Sequence, residues 1–389
     1  MSQGNGAENA ANGPLSGIRV LDFSMFMAGP YCSRLLADAG AEVIKVEPPE
    51  GDYMRKSNPL RGQHSGFFGH LNCGKKCITL DLKDDGDRAV VQALMPSVDV
   101  VLENFRPGVT QRLGLAYDDL KGLRPDLIYC SVSGYGQTGP AAQLPAYAPI
   151  VHAASGFDLA QVEYDSRQDR PIPNRSTTAD ILAATHAFGA ICAAIAHRQN
   201  GGGGDYIDVA LMDVMHQMLA YEVQAVQIEK VPAPVIFEPI KTKDGFIMIA
   251  PISQLNFEAL AMGAGHPEWK DDERFSTILA RTGHWGQLTA EVAAWAADRE
   301  ADACIEALSE AGCPCTRYMT VAESMAQPQV AHRGSMAEVE DGGGRYKVPN
   351  TPFQFSNADV QARPWVAEAG QHNDEIRAEL NLDDGRRRG

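Results

Sequence analysis

Asp180 is the residue of this sequence whose surroundings most favour chemistry. The segment before it, Ser176-Thr177-Thr178-Ala179, is typical of a helix start with Ser176 or Thr177 as the N-cap. The helix predicted to follow is Ala-rich and almost wholly apolar as far as Gln199, so a carboxylate heads an element that should be buried. Acidic residues in first turns usually only stabilise the helix. A buried carboxylate, however, is costly unless it is paired or used, which makes Asp180 a candidate functional group.

Two polar loops supply candidate ligand-binding residues. They are Asn72-Cys73-Gly74-Lys75-Lys76 and Asn104-Phe105-Arg106-Pro107-Gly108, and each adjoins an apolar run predicted to be a strand. Loops at the strand ends of an α/β sheet are the usual place for a bound ligand. Polar residues are ordinary in loops, but cations and amide groups in both loops of an acidic protein predict a phosphate-binding surface.

Other chemistries fit the sequence less well. The loop after the first strand holds a single glycine between Phe23 and Tyr31, so the dinucleotide-binding fingerprint is missing and a plain sheet-edge loop is expected. The sequence contains no GxSxG motif, and no cysteine has an evident base partner, which disfavours serine or cysteine hydrolases. His152, His186 and His216 follow no metal-ligand spacing. We therefore expect structural histidines and assign no metal.

Six short apolar runs alternate with helical patterns along the first part of the chain. The predicted strands are Ile18–Phe23, Glu42–Glu47, Ile78–Leu82, Val98–Glu103, Leu127–Val132 and Tyr206–Leu211. This alternation predicts an α/β fold with a large Rossmann-like parallel sheet that is covered on both faces. Ala28-Gly29-Pro30 is predicted to be a loop, and residues 137–175 look irregular.

The chain is predicted to divide into four segments. They are a disordered tail (1–14), a large domain (15–225), a smaller inserted α+β domain (226–326) and a C-terminal segment (327–389) that returns to the large domain. Val231-Pro232-Ala233-Pro234 looks like a linker. In the small domain, Asp244-Gly245 is typical of a hairpin turn, and 255–262 and 288–308 are predicted to be helical.

Composition narrows the possible partners and the compartment. The 389 residues carry 34 Lys+Arg and 50 Asp+Glu, a formal net charge of −16, which disfavours nucleic acid and anionic membranes as partners. The eight cysteines are scattered without a CxxC motif, as suits a reducing cytoplasm. The first fourteen residues lack the features of a signal peptide. The apolar run Ile181–Ala196 is interrupted by Thr185, His186 and Gly189, and is predicted to be a buried core helix and not a membrane span.

The run Leu15–Arg55 resembles the N-terminal signature of class III CoA-transferases, the group of the formyl-CoA:oxalate and carnitine CoA-transferases. Five further motifs follow in the family's order: NCGKKCITLDLK (72–83), ENFRPGV (103–109), RLGL (112–115), SVSGYGQTGP (131–140) and TTADILAATHAFGAICAAIAHRQNGGGGDYIDVAL (177–211). The resemblance is close over residues 15–215 and weaker beyond them. No single motif is specific, but six in order identify the chain as similar to this family.

The resemblance implies that Asp180 is a nucleophile that forms a mixed anhydride with the acyl group of a bound acyl-CoA. The implied coenzyme A contacts are Asn72, Lys75, Asn104, Phe105 and Arg112. Two nucleotide contacts of the formyl-CoA enzyme are replaced, a glutamine by Met27 and an arginine by Pro48, so adenine and phosphate recognition should differ in detail. Family chains form interlocked homodimers, which implies that this chain pairs with a second copy of itself.

The implied reaction moves CoA from an acyl-CoA donor to a small organic acid, possibly a dicarboxylic one. The backbone amides of Gly134 and Gly136 are candidate oxyanion donors, and Tyr147 and His152 are candidate contacts to the acid. Three arginines could pair with a second carboxylate, although solvated loop cations are the simpler interpretation: Arg167, Arg170 and Arg175.

Two alternatives remain open. The superfamily also contains α-methylacyl-CoA racemases, which use a His–Asp pair, with the histidine in a Gly-His-Asp context after the GQTGP-type motif. Here Pro145-Ala146-Tyr147-Ala148 occupies that place and His152 lies five residues beyond Tyr147, which favours the transferase. A non-catalytic module that binds CoA esters would be favoured if the Asp180 carboxylate had no pocket.

Overall fold

The computed structural model describes residues 13–165, 169–173, 175–229 and 235–382. The chain forms two compact units, Met1–Val223 with Gln329–Gly389, and Gln224–Pro328. The second unit overlaps the small domain predicted at 226–326. Most of the predicted N-terminal tail, and the predicted linker Val231-Pro232-Ala233-Pro234, lie outside the described residues.

The first unit is built on six parallel strands that lie next to one another in the order 3-2-1-4-5-6. The strands are β1 (Arg19–Asp22), β2 (Glu42–Glu47), β3 (Lys76–Thr79), β4 (Val100–Glu103), β5 (Ile128–Ser133) and β6 (Asp205–Ala210). This order is that of doubly wound nucleotide-binding sheets, in which ligands bind beyond the carboxyl ends of strands 1 and 4. The prediction of an α/β fold with a large parallel sheet is confirmed.

Alternate side chains of each strand enter two separate apolar cores because successive residues point to opposite faces of a sheet. One core holds Val20, Val43, Val100, Ile128, Cys130 and Val132. The other holds Leu21, Ile44, Val46, Val101 and Tyr129. Both faces of the sheet are therefore buried, which explains why the strands are nearly continuous apolar runs in the sequence.

Helices and short turns connect these strands. The α-helices of the first unit are Ala28–Asp38, Gly66–Asn72, Asp85–Leu94, Val109–Leu113, Tyr117–Leu120, Ala148–Ala154, Phe157–Glu163, Thr178–Gln199, Leu211–Met218 and Asn373–Glu379, while Ala220–Ala225 and Pro328–His332 lie at the unit boundaries. Short 3-10 helices span Tyr53–Lys56 and Met95–Ser97, and a two-residue ladder joins Leu60–Arg61 to His64–Ser65.

Two sequence predictions in this unit are wrong. Ala28-Gly29-Pro30 begins a helix and is not a loop; Pro30 is tolerated there because first-turn amides have no partner within the helix. The stretch 137–175, predicted to be irregular, contains the helices Ala148–Ala154 and Phe157–Glu163. Each is seven residues long, too short to show a helical period in the sequence.

The helix Thr178–Gln199, here called the Asp180 helix, buries only one face in the first unit. The buried positions are Ala179, Ala183, Ala184, Ala187, Ile191 and Ile195. The prediction of a buried core helix is therefore correct for that face alone. It is the one helix in the described part of the chain that is long and apolar enough to cross a membrane, a property that core helices of soluble proteins share.

The C-terminal segment packs on the first unit. The strands Met336–Asp341 and Gly344–Pro349 form an antiparallel hairpin. The helix Asn373–Glu379 follows and lies against β3, where the Thr79 amide donates to Asn373 Oδ1 at 2.9 Å. This segment therefore completes the β3 edge of the large sheet.

The second unit has its own core. Strands β7 (Ile240–Lys241), β8 (Phe246–Ile249) and β9 (Cys315–Arg317) form an antiparallel sheet, and the predicted Asp244-Gly245 hairpin turn is confirmed between β7 and β8. The helices are Gln254–Gly263, Ile278–Gly283, Trp285–Ala296, Ala301–Glu310 and Val321–Met325, with a 3-10 helix at Pro267–Lys270. The single helix predicted at 288–308 is thus two.

Candidate active site

A cavity of about 310 Å³ opens beyond the carboxyl ends of the sheet, where the strand order reverses between β1 and β4. Its lining residues come from the loops after β1, β4 and β5 and from the start of the Asp180 helix: Met25, Phe26, Met27, Ala28, Asn104, Phe105, Arg106, Val109, Val132, Ser133, Gly134, Ala146, Tyr147, Asp180 and Leu211. The topology therefore brings Asp180, Asn104, Phe105, Gly134 and Tyr147, all predicted separately from the sequence, to one place.

The loop after β1 forms one wall of the cavity and is held by Asn104. The Asn104 Oδ1 accepts from the Met25 amide at 2.8 Å, and its Nδ2 donates to the Met25 carbonyl at 2.7 Å. Next to Met25, Phe26 adopts a left-handed backbone with φ of 64°. Such a conformation is unfavourable for a bulky residue and persists only where the surroundings over-determine it.

Two buried ammonium groups bind the backbone of this region: Lys45 binds the loop after β1, and Lys75 binds the first turn of the helix Ala28–Asp38. Lys75 Nζ donates to the Pro30 carbonyl at 2.8 Å and to Asn72 Oδ1 at 2.8 Å, and it lies 3.2 Å from an Asp22 carboxylate oxygen. Lys45 Nζ donates to the Ser24 carbonyl at 2.6 Å and pairs with Asp52 at 2.9 Å. We call Asp22, Lys45, Asp52 and Lys75 the ionic cluster.

The structure places Asn72 and Lys75, predicted as coenzyme A contacts, away from the cavity. Both are buried, Lys75 completely, and the three donors of its ammonium group are all engaged within the protein. Neither residue lines the cavity. Both residues lie beside a strand end, as their sequence position predicts, and a direct contact between them and coenzyme A stays a prediction.

The ionic cluster keeps Asp22 charged. Burial alone would raise the pKa of Asp22, but the charges of Lys75 and Lys45 and the hydroxyl groups of Ser24 and Ser33 outweigh it and hold the pKa below its ordinary value. Burial also lowers the pKa of Lys75 to about 8, although the charge of Asp22 opposes that shift. Separating these buried charges inside the protein would leave an uncompensated charge, so the cluster resists local rearrangement.

Asp180 lies in a different environment. Its side chain is partly buried and lines the cavity, and burial raises its pKa to about 6. Within the described residues, no ion pair or hydrogen bond engages its carboxylate. The first turn of the helix favours the ionised form. Near neutral pH, Asp180 is therefore a carboxylate whose oxygens remain available to a bound molecule.

His152 positions the start of the Asp180 helix. The His152 side chain is only 1% exposed, and its Nε2 accepts from the Ala179 amide at 3.1 Å. The neutral ring therefore carries its proton on Nδ1, and burial lowers its pKa. His152 does not line the cavity, and the predicted contact between His152 and the acid stays a prediction.

The helix start itself differs slightly from the prediction. Thr177 occupies the N-cap position, but its side chain makes no capping bond. The Thr178 amide instead donates to Ser176 Oγ at 3.3 Å. The cap that sequence reasoning missed is His152, because it lies 27 residues from the amide that it binds.

Of the two glycines predicted as oxyanion donors, only Gly134 lines the cavity. A side chain at Gly134 would collide with Ala146, since an added Cβ would lie 2.2 Å from the Ala146 Cβ. Gly136 does not line the cavity and lies beside Asp208. The prediction for Gly136 is therefore not supported by its position.

The mouth of the cavity is aromatic and weakly basic. Tyr147 is 57% exposed and contacts Phe26 edge to face at 5.8 Å, and Phe26 in turn contacts Tyr53 at 6.0 Å. Arg106 is exposed and is the one cation among the described lining residues. Arg112 is exposed on the helix Val109–Leu113 and does not line the cavity.

The predicted arginine cluster is described only in part. Arg170 and Arg175 are exposed, and neither lines the cavity. Arg167 lies outside the described residues. Among the described residues, no three His, Cys, Asp or Glu side chains converge as metal ligands would.

The sequence matches the profile of CoA-transferase family III over residues 15–373. It is 36% identical to succinyl-CoA–D-citramalate CoA-transferase of Chloroflexus aurantiacus, over 94% of each chain. It is 32% identical to acetyl-CoA:oxalate CoA-transferase of Acetobacter aceti, over 95% of this chain and 96% of that one. A solved CAIB/BAIF family protein from Brucella suis superposes with a TM-score of 0.81 at 32% identity, covering 95% of this chain and all of the other.

Proposed function

The chain belongs to CoA-transferase family III and is an acyl-CoA:carboxylate CoA-transferase, and we propose that Asp180 is its covalent nucleophile. The observation that carries this proposal is the carboxylate itself. It is the one acidic side chain among the described residues that line the cavity, and no described residue pairs with it. An ionised, partly desolvated carboxylate is the form of an acid that attacks carbonyl carbon.

In the proposed reaction, an Asp180 oxygen bonds to the thioester carbonyl carbon, the C–S bond breaks, and the CoA thiolate leaves a mixed anhydride. The thiolate then attacks the Asp180 carbonyl, which releases the donor acid and leaves an aspartyl-CoA thioester. An acceptor carboxylate attacks that thioester to form a second anhydride and free the thiolate again. Attack of the thiolate on the acceptor acyl group gives the new acyl-CoA and restores Asp180.

Coenzyme A is proposed to enter along the loop after β4. Phe105 and Arg106 line the cavity, and Arg112 is exposed on the helix that follows, so these two cations are the proposed contacts to the phosphates. Asn104 shapes the wall through Met25. Asn72 and Lys75 are proposed to act indirectly, because Lys75 binds the Pro30 carbonyl in the first turn of the helix Ala28–Asp38 and Asn72 accepts from Lys75.

The acid is proposed to be a small dicarboxylic acid, as the names of the relatives suggest for those enzymes. Tyr147 at the mouth is the proposed polar contact. Gly134 is the proposed backbone oxyanion donor, because it alone of the two predicted glycines lines the cavity. The racemase alternative needs a histidine that can take a proton from the substrate. The nearest candidate, His152, is buried, and its Nε2 accepts a hydrogen bond from the Ala179 amide.

We also propose a cytoplasmic homodimer. The Asp180 helix is apolar, yet only one face is buried within the described first unit. Further large apolar side chains are exposed in the first unit, among them Leu144, Ile150 and Leu159. A second copy that covers such surfaces would remove apolar area from water. Sedimentation velocity tests this proposal, and a monomer at micromolar concentration would contradict it.

The nucleophile is tested by trapping. Enzyme incubated with succinyl-CoA and then hydroxylamine should carry a hydroxamate at Asp180, detected by peptide mass spectrometry. The Asp180→Asn variant should bind CoA but lose transfer by on the order of 10⁴-fold or more. Asp213→Asn is the matched control, because Asp213 also lies in the first turn of a helix but is exposed and outside the cavity. Wild-type transfer activity in Asp180→Asn would overturn the proposal.

A further inference from the structure

Glu103 is a buried carboxyl group at the end of β4, where the chain leaves the sheet. The residue is only 2% exposed, and its Oε2 accepts a hydrogen bond from the Phe105 amide at 2.7 Å. The three residues that follow it, Asn104, Phe105 and Arg106, line the cavity that also holds Asp180, here called the Asp180 cavity. Glu103 itself does not line this cavity, so any effect that it has on a bound molecule must pass through the loop after β4.

The environment of Glu103 disfavours a charged carboxylate. Burial raises its pKa to about 7, and the hydrogen bonds from the Ser131 hydroxyl and the Phe105 amide offset this effect only in part, while the charge of Asp208 adds to it. Among the described residues, no Lys, Arg or His side chain pairs with Glu103. Near neutral pH the neutral acid is therefore well populated, and what the site provides at all times is an acceptor oxygen.

A second glutamate shows that a buried acid at a strand end can be paired. Glu47 is the last residue of β2, is buried, and its Oε2 accepts from the Asp52 amide at 2.8 Å. Burial would raise the pKa of Glu47, but Arg55, which binds both carboxylate oxygens, outweighs it and holds the pKa below its ordinary value. Both glutamates thus bind a loop amide. Of the two, only Glu103, next to the Asp180 cavity, has no described cation against it.

The bond to Glu103 fixes the first peptide units of the loop after β4. A peptide amide without an acceptor is unfavourable away from water, so the chain keeps the Phe105 amide directed at Glu103. Between the two residues, the Asn104 side chain is held by its two bonds to Met25. The start of the loop is therefore tied on one side to the end of β4 and on the other side to the loop after β1.

We propose that Glu103 is a positioning residue that holds the Phe105 peptide, and with it the Phe105 and Arg106 side chains, in the orientation that binds coenzyme A; this inference rests on the proposed role of the loop after β4. The role requires an acceptor oxygen and does not require a negative charge. A glutamine side chain, which has the same shape and keeps a carbonyl oxygen, should therefore replace Glu103, whereas an apolar side chain of similar length should not.

Two variants of the full-length enzyme test this role. Glu103→Met should raise the KM for succinyl-CoA on the order of tenfold and leave kcat within about threefold of wild type, because the loop loses one hydrogen bond while the reacting groups stay in place. Glu103→Gln should keep both constants within about twofold of wild type. Asp119→Ala is the control and should also be unchanged, since the Asp119 carboxylate accepts the Ala116 amide outside the Asp180 cavity.

Two results would overturn the positioning role. One is a KM for Glu103→Met within about twofold of wild type, well below the effect of one lost hydrogen bond. The other is a large loss of kcat in Glu103→Gln, which would mean that the charge or the proton of Glu103 takes part in the reaction. Should Glu103→Met fail to fold, Glu103→Gln still decides the question, because a KM raised about tenfold in a variant that keeps the acceptor would also contradict the proposal.

Arg106→Gln separates this inference from the proposal on which it rests. Arg106 lines the Asp180 cavity and is a proposed contact to the phosphates. If Arg106→Gln raises the KM for succinyl-CoA and Glu103→Met does not, only the role of Glu103 is overturned. If neither variant raises the KM, the proposed binding of coenzyme A along the loop after β4 is overturned as well.

Discussion

Asp22, which is fully buried, and Asp180, which is partly buried, differ in the partners of their carboxylates. Asp22 receives hydrogen bonds from two serines and the charges of two lysines, which hold its pKa below the ordinary value against the effect of burial. Asp180 has no such partner among the described residues, and burial raises its pKa to about 6. The difference between the two sites is therefore one of partners: the protein engages the carboxylate of Asp22 and, among the described residues, leaves that of Asp180 unpaired.

The largest effect is expected from a variant that removes one charge of the ionic cluster. Asp22→Asn leaves Lys75 and Lys45 buried without one of their counter-charges. Removing one partner of a buried ion pair typically costs about 3–5 kcal/mol, so we expect a loss of that size in the free energy of unfolding. Urea denaturation at pH 7 measures it. A loss below about 1 kcal/mol in the free energy of unfolding would contradict the prediction that the two lysines depend on the charge of Asp22.

The open carboxylate should respond in the opposite direction. At pH 8, Asp180→Asn should raise the free energy of unfolding, by up to about 3 kcal/mol, because a pKa raised from 3.8 to about 6 disfavours the ionised form in the folded state. Since the folded-state pKa is the higher one, the gain should shrink as the pH falls from 6 to 3.8 and vanish below that. Thermal unfolding across this range tests the sign. Destabilisation at pH 8 would contradict an unpaired Asp180.

Activity should follow the same ionisation. If the Asp180 carboxylate is the attacking group, kcat/KM should fall about tenfold per pH unit below a midpoint near 6, with a single proton involved. Initial rates with succinyl-CoA between pH 4.5 and 8 measure this limb, with stability checked in parallel. A midpoint near 4 would mean that the carboxylate is more solvated or better paired than its cavity indicates.

The smallest effect is expected at the exposed Arg112, and the buried Lys75 supplies the comparison. Arg112→Gln is expected to raise the KM for acyl-CoA about tenfold with little loss of stability, because it removes one charge-assisted hydrogen bond at the surface. Lys75→Met should mainly lower stability, because Lys75 is bonded entirely within the protein. The reverse pattern, with Lys75→Met affecting only the KM, would restore a direct contact between Lys75 and coenzyme A.

The sequence was sufficient for the sheet and for Asp180, because their signals are local. Strands buried on both faces are apolar runs, and the carboxylate heads a helix that shows its own start. The sequence was not sufficient to predict which way a side chain points. Lys75 turns inward to Asp22, while its neighbour Lys76 pairs outward with Glu42 and Glu375. Nothing in the run Gly-Lys-Lys distinguishes the two, since their partners are far away in the sequence.

The contact made by His152 could not be found for the same reason. His152 binds the Ala179 amide, which lies 27 residues away in the sequence, and only the folded chain brings the two together.

The clasp between the Asn104 amide and the Met25 peptide joins segments 79 residues apart. These two hydrogen bonds connect the loop after β4, proposed to bind coenzyme A, to the loop after β1, which forms one wall of the cavity. A shift of one loop should therefore move the other loop with it. Efforts to reshape the acyl pocket should therefore keep this joint intact and redesign the side chains around it.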